Sequence, residues 1–200
     1  MGKVRVAVLC SGGGTNFEAI ICAQEAGKIP SGEIVLVVSD SASAYALERA
    51  KNHCVESAVF DKKEYPRAER EAAILDCLKK HKIDLVVLAG FMTVLSERFV
   101  GAYEGRIINV HPALLPSFGG VGMYGLHVHE AALARGVKVT GATVHYVTEE
   151  CDGGPIIAQK AVEVQEGDTP EILQQRVMRE AEWIIFPAAV ETVCKKLKGE

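Results

Sequence analysis

Val4-Arg5-Val6-Ala7-Val8-Leu9, then Gly12-Gly13-Gly14-Thr15-Asn16, then residues 17–26 are the segment from which the architecture follows. The β-branched run reads as a strand, the glycines as a turn, and the next residues as a helix ended by Gly27. Free amides converge at the start of such a helix, and its dipole adds positive potential, so the turn reads as an anion site. No Gly-Lys-Ser/Thr occurs there, which excludes a Walker loop. Phe17 stands where the third glycine of a dinucleotide fingerprint would be. The expected ligand is therefore a monophosphate, with Thr15 and Asn16 adding side-chain donors.

The same alternation continues outward. Residues 33–39, 57–60 and 84–89 read as strands, and 44–52 and 67–81 as helices, the latter with an apolar stripe at Ile74, Leu75 and Leu78. Strands alternating with helices imply an α/β class: a Rossmann-like, mostly parallel central sheet flanked by helices. Residues 141–147 and 155–164 are two further strands across a turn carrying Asp152-Gly153-Gly154, so they should pair antiparallel and give an antiparallel C-terminal portion. Thr169-Pro170 signals a helix start, and Pro187 a kink or break in the last helix. Asp40 ends the second strand where an NAD enzyme would hold a ribose; the expectation is instead a cap for the helix over 44–52.

Ile107-Ile108-Asn109-Val110-His111-Pro112 carries the chemistry. Pro112 ends a buried strand because it has no amide hydrogen for the ladder. Asn109 and His111, two apart, share a face at the edge where open α/β sheets bind ligands. An amide can polarise a carbonyl and an imidazole can move a proton. Gly90-Phe91-Met92-Thr93-Val94-Leu95 is apolar for a loop at that edge, suited to core packing or to a flat ligand ring. Four glycines between Ser117 and Gly125 make a mobile loop and a candidate lid.

Two hundred residues with a net charge of −4 fit one domain and give no support to nucleic-acid binding. No apolar run approaches a membrane span, and the start at Met1 reads straight into a strand with no signal peptide, so a cytoplasmic location is expected. The six cysteines are scattered and read as small buried hydrophobes in a reducing compartment. His127-Val128-His129 has no Cys or carboxylate cluster beside it, so no metal is expected.

Taken together, Ser11 to Asn16, Leu88-Ala-Gly-Phe-Met92, Ile108-Asn-Val-His-Pro112 with Leu114-Leu115-Pro116, Gly141-Ala-Thr-Val-His145 and Asp152-Gly-Gly-Pro155 resemble the folate-dependent phosphoribosylglycinamide formyltransferases of purine synthesis over essentially the whole chain. The resemblance implies one formyltransferase domain over 1–200, with a phosphate-binding half (1–100) and a folate-binding and catalytic half (101–200). It implies 10-formyltetrahydrofolate as co-substrate, no metal, small-molecule partners only, and a monomer or homodimer. Asn109, His111 and Asp152 would be catalytic. Gly14, Thr15, Asn16 and Glu182 would bind phosphoribosylglycinamide. Arg67, Met92, Thr93, Val94, Leu95 and Asn109 would bind folate. Thr143, Val147 and Cys151 would be pocket wall, and His145 would be structural or a support behind the catalytic residues.

Two departures stand out. Thr93 replaces an arginine common in the family. The loop from Ser117 is about five residues longer than a compact version, an insertion a loop absorbs cheaply. The nearest alternative is a formyltetrahydrofolate hydrolase with a similar Asn-His-Asp core, but that family carries an N-terminal regulatory domain. Methionyl-tRNA formyltransferases carry a C-terminal RNA-binding domain. A regulatory nucleotide-binding module would not need the Asn-His-Asp trio, and a dehydrogenase rests on Asp40 alone.

Overall fold

In the computed structural model, which describes residues 2–200, the chain begins β1 (Val4–Cys10), α1 (Thr15–Glu25), β2 (Gly32–Ser39), α2 (Tyr45–Asn52), β3 (Glu56–Val59) and α3 (Arg67–Lys80). It continues β4 (Leu85–Leu88), α4 (Glu97–Ala102), β5 (Ile107–His111), α5 (Leu126–Arg135), β6 (Val139–Tyr146) and β7 (Ile156–Glu163). It ends with α6 (Pro170–Val177), a π turn over Met178–Glu182, and α7 (Trp183–Lys198). The seven strands form one sheet in the order β3-β2-β1-β4-β5-β6-β7. β1 to β5 pair in parallel, and β6 and β7 antiparallel, as expected.

Alternation along β1 explains why its sequence is apolar throughout. Val6 and Val8 face one core with Phe17, Ile20 and Phe186; Ala7 and Leu9 face another with Ile74, Leu78 and Phe99. A parallel strand covered on both faces has no solvent side to carry polar residues. The stripe of α3 is buried as its spacing requires. Ser96 caps α4 by accepting from the Phe99 amide, and Thr169 caps α6 by accepting from the Ile172 amide.

Strand order reverses between β1 and β4, since β1 continues to β2 on one side and lies against β4 on the other. The carboxyl ends of these strands flank a crevice, the usual ligand position in open α/β sheets. The glycine turn follows β1, the apolar loop follows β4, and β5 brings Asn109 and His111 alongside.

Two expectations need correction. Asp40 does not cap α2: the helix starts after Ala44 with no side-chain cap, and Asp40 is fully buried, accepting from the Thr93 hydroxyl at 2.7 Å. That weakens the one feature favouring a dehydrogenase, because this carboxylate is fully buried and one of its oxygens is held by the loop after β4. The distortion expected at Pro187 lies upstream instead. α7 runs through Pro187, and the backbone widens at Met178–Glu182. π turns of this kind concentrate at functional sites.

The turn between β6 and β7 tolerates no side chain at Gly154. A Cβ there would lie 1.8 Å from the Tyr146 carbonyl oxygen, a backbone atom that cannot rotate away. Gly154→Ala is expected to lose more than about 3 kcal/mol of stability, beyond ordinary overpacking, because the strand pair must part. Urea unfolding checks this; an unchanged midpoint would refute the collision.

Candidate active site

The trio converges although its members come from separate parts of the chain. β5 places Asn109 opposite His145 of β6 and His111 opposite Thr143. The turn after β6 returns Asp152 over that pair. His111 Nδ1 lies 3.5 Å from Asp152 Oδ2, and His145 Nε2 lies 3.5 Å from Asp152 Oδ1. The Asn109 amide nitrogen is 3.2 Å from His145 Nε2. His145, expected to be structural or a support behind the catalytic residues, stands between the amide and the carboxylate, in the supporting place. Its side chain is orientated by the Tyr146 carbonyl at 2.9 Å.

His111 is held from both sides. Nε2 is 2.8 Å from the Phe118 carbonyl, an acceptor, so this nitrogen carries hydrogen and Nδ1 is left facing Asp152. Burial pushes His111 below its ordinary value; the Asp152 charge and the Phe118 carbonyl pull upward without offsetting it. Asp152 thus favours the imidazolium by its charge, but desolvation outweighs it in the resting ring. Once a proton arrives at Nδ1, however, both N–H groups meet an oxygen. The ring rests neutral and is ready to accept. Burial also works against the Asp152 carboxylate, but hydrogen bonds from His145 and the Gly120 amide, with the neighbouring histidines, hold it below the usual range.

Phe118 and Asp152, the two residues that touch the His111 ring, both have left-handed backbones at φ 54° and 57°. Such conformations are costly without glycine and persist where surrounding contacts enforce them. The loop expected to be a free lid is anchored here, through the Phe118 carbonyl and the Gly120 amide.

All three residues line a cleft of about 880 Å³ that also takes in Gly14, Thr15, Asn16 and Glu182, and Met92 to Leu95. At the glycine turn, Gly14 adopts φ 69°, and a Cβ there would lie 2.7 Å from Ala46 Cβ, so only glycine lets α2 close on the turn. Asn16 donates to Glu182 Oε2 at 2.6 Å. Burial drives the Glu182 carboxyl above its ordinary value, and the Asn16 hydrogen bond offsets only part of that. The Ser11 hydroxyl accepts from the Met92 amide at 2.8 Å, tying the glycine turn to the apolar loop.

A model of the formyl transferase family, by its description "Formyl transferase", matches residues 4–190. Phosphoribosylglycinamide formyltransferase of Bacillus subtilis is 41% identical over 189 residues, covering 94% of this chain and 93% of its own length. The chain belongs to the phosphoribosylglycinamide formyltransferase family. The solved phosphoribosylglycinamide formyltransferase of Bacillus halodurans superposes with a TM-score of 0.87 at 44% identity, over 96% of each chain. The trifunctional purine biosynthetic protein adenosine-3 of Gallus gallus is 47% identical over 194 residues; the match takes 96% of this chain but only 18% of the length of that relative.

Within this site, two assignments shift. Arg67 does not line the cleft. Its guanidinium donates to the Val94 carbonyl at 2.8 Å and pairs with Glu71, holding the apolar loop in place. Arg70, one turn on, is the buried arginine, 3.5 Å from the Thr93 hydroxyl. Spacing alone could not separate the two, because both stand on α3 near its start. Thr143 is not pocket wall either; its hydroxyl accepts from the Leu115 amide and donates to the Ala113 carbonyl, fixing the chain just after His111. Val147 and Cys151 do line the cleft.

His129 was missed. It is fully buried in the cleft wall, neither ring nitrogen has a hydrogen-bond partner, and burial pushes it down to about 4. A helix residue in a His-x-His pair gives no sequence signal of this.

Proposed function

We propose that the chain transfers the formyl group of 10-formyltetrahydrofolate to the amine of 5-phosphoribosylglycinamide, giving the N-formyl product and tetrahydrofolate. The observation that carries this is the convergence of Asn109, His111 and Asp152 in one cleft with the glycine turn and the apolar loop. The phosphate sits on the amides of Gly14 and Thr15 at the start of α1, with Asn16 adding its side chain. Glu182 takes the substrate amino group. The pterin enters against Met92 to Leu95, with the backbone of that loop and Asn109 as its polar contacts.

The amine nitrogen attacks the formyl carbon, and the carbonyl π pair moves to oxygen. Asn109 donates to the developing oxyanion, and His111 gains positive charge as it takes the amine proton. Collapse of the tetrahedral intermediate breaks the bond to folate N10, which receives that proton. Asp152 stabilises the imidazolium between the two events. The reaction needs no metal.

The test follows folate release by absorbance with and without phosphoribosylglycinamide. Release that depends on the amine supports transfer. Release without it would turn the reading to formyltetrahydrofolate hydrolysis, and none in either case would leave a binding module. No helix among the described residues is long and apolar enough to cross a membrane. We read the partners as small molecules and the compartment as the cytoplasm.

A further inference from the structure

Far along the chain from the trio, α1 and the end of α2 bring together a thiol, an imidazole and two carboxylates. Glu18, Cys22 and Glu25 share one face of α1, spaced by four and three residues. His53, the residue after α2, reaches across to them. One ligand atom each from Glu18, Cys22 and His53 lie within 4.8 Å of one another.

The detail points to a cation. His53 Nδ1 is 2.7 Å from Glu25 Oε1, and that contact puts the ring hydrogen on Nδ1. Nε2 lies 3.2 Å from Glu18 Oε1 and shares a proton with it, a proton that a cation would displace to reach the lone pair; Cys22 Sγ lies 3.9 Å from the same oxygen. In a zinc tetrahedron, bonds of about 2.0 Å to N or O and about 2.3 Å to S put neighbouring ligand atoms about 3.3–3.5 Å apart. Two of the three separations, 3.2 and 3.9 Å, lie close to that spacing, and the third is within 4.8 Å. A carboxylate holding the far nitrogen of a histidine is also the usual support of a metal-bound imidazole.

Glu18 divides its oxygens. Oε1 faces the His53–Cys22 side, while Oε2 is 3.0 Å from the Arg49 guanidinium. A cation on Oε1 leaves the Arg49 pair in place. Two carboxylates and a thiolate, against one guanidinium, suit a dication. Thiolate and imidazole together select zinc over magnesium or calcium. The ion pairs alone, Arg49–Glu18–His53–Glu25, account for every group except the thiol. We propose that Glu18, Cys22 and His53 form a surface zinc site, with Glu25 orienting His53 and one position open to water, that pins α1 to α2 behind the glycine turn. Arg49 also donates to the Gly13 carbonyl at 2.8 Å, so the site is two contacts from that turn.

The sequence hides this site because Cys22 and His53 are 31 residues apart with no paired motif. The probe is Co²⁺, which reports thiolate ligation through a charge-transfer band and tetrahedral geometry through its visible bands. Full-length, reduced, chelator-treated protein is expected to bind one Co²⁺, displaced by Zn²⁺, and Zn²⁺ is expected to raise the melting temperature. Cys22→Ser abolishes the charge-transfer band and the thermal shift, leaving turnover without added metal unchanged. Glu25→Gln weakens affinity by about tenfold or more, the usual cost of losing an outer support. Cys54→Ser, which changes the exposed thiol next to His53, retains the band. Absence of the band in the wild type, its persistence in Cys22→Ser, or its loss in Cys54→Ser would each overturn the proposal.

Discussion

His111→Ala is expected to lower kcat by about 10³-fold, the combined scale of general acid–base catalysis and charge stabilisation at an oxyanion. The ring is 4% exposed and lies at the end of β5, whose ladder is made by backbone, so the variant should fold. Asp152→Asn is expected to cost about 10²-fold, since it acts on the charge His111 gains and not on the reacting atoms. The two should not add. With the imidazole gone, Asp152 has no proton to stabilise, and the double variant should fall no further than about His111→Ala alone. A product of the two separate losses would show that Asp152 acts independently.

The same pair predicts a pH profile. His111 must be neutral to receive the amine proton, so kcat/KM falls on the acid side as the ring is protonated. Burial depresses that ring, so the acid limb lies below the ordinary histidine value of about 6.5. Asp152 pulls the other way. Removing its charge makes the imidazolium less favourable still, so Asp152→Asn should move the limb to lower pH while the plateau drops. A rate that instead fell as pH rose through the histidine range, with no acid limb, would mean that the resting ring is the imidazolium.

What was legible in the chain divides by range. Strand and helix placement follows from local pattern: β1, β2 and β4 lie in near-continuous apolar runs because both sheet faces are covered, and their predicted bounds agree with the structure to within about two residues, the usual fraying at element ends. Asn109 and His111 were readable because they share one strand end. Asp152 was readable only through the resemblance, since nothing local tells which acidic residue returns to His111. Where the reading went astray, the deciding contact was long-range. Asp40 looks like a cap from its place after β2, but Thr93, 53 residues on, claims its oxygen. Arg67 and Arg70 differ only in which face of α3 they occupy. The π turn has no composition signal, and Glu182, its last residue, lines the cleft.

Glu182→Gln is the sharpest test of the substrate end. The carboxylate is 6% exposed and has one donor, the Asn16 amide. An ammonium or amine entering the cleft would supply the charge-assisted bonds that the folded protein lacks, so the substrate itself relieves the cost of burying this group. Gln keeps the shape and an acceptor for Asn16 but not the charge. A hydrogen bond to a charged group is worth about 1.5–3 kcal/mol, so kcat/KM for phosphoribosylglycinamide should fall by roughly 10- to 10²-fold, most of it in KM. Stability should move the opposite way. The folded-state carboxyl titrates above its unfolded value of about 4.3, so the native protein holds the proton longer. Its contribution is then most favourable below that unfolded value and declines as pH rises through the folded one. The Gln variant lacks this decline: its melting temperature should match the wild type near pH 4 and exceed it at pH 7–8. A variant that binds substrate normally yet is more stable would make Glu182 a merely buried acid. One that loses both binding and stability would make it a structural partner of Asn16. Weaker binding with greater stability is the signature of a charge kept for its ligand.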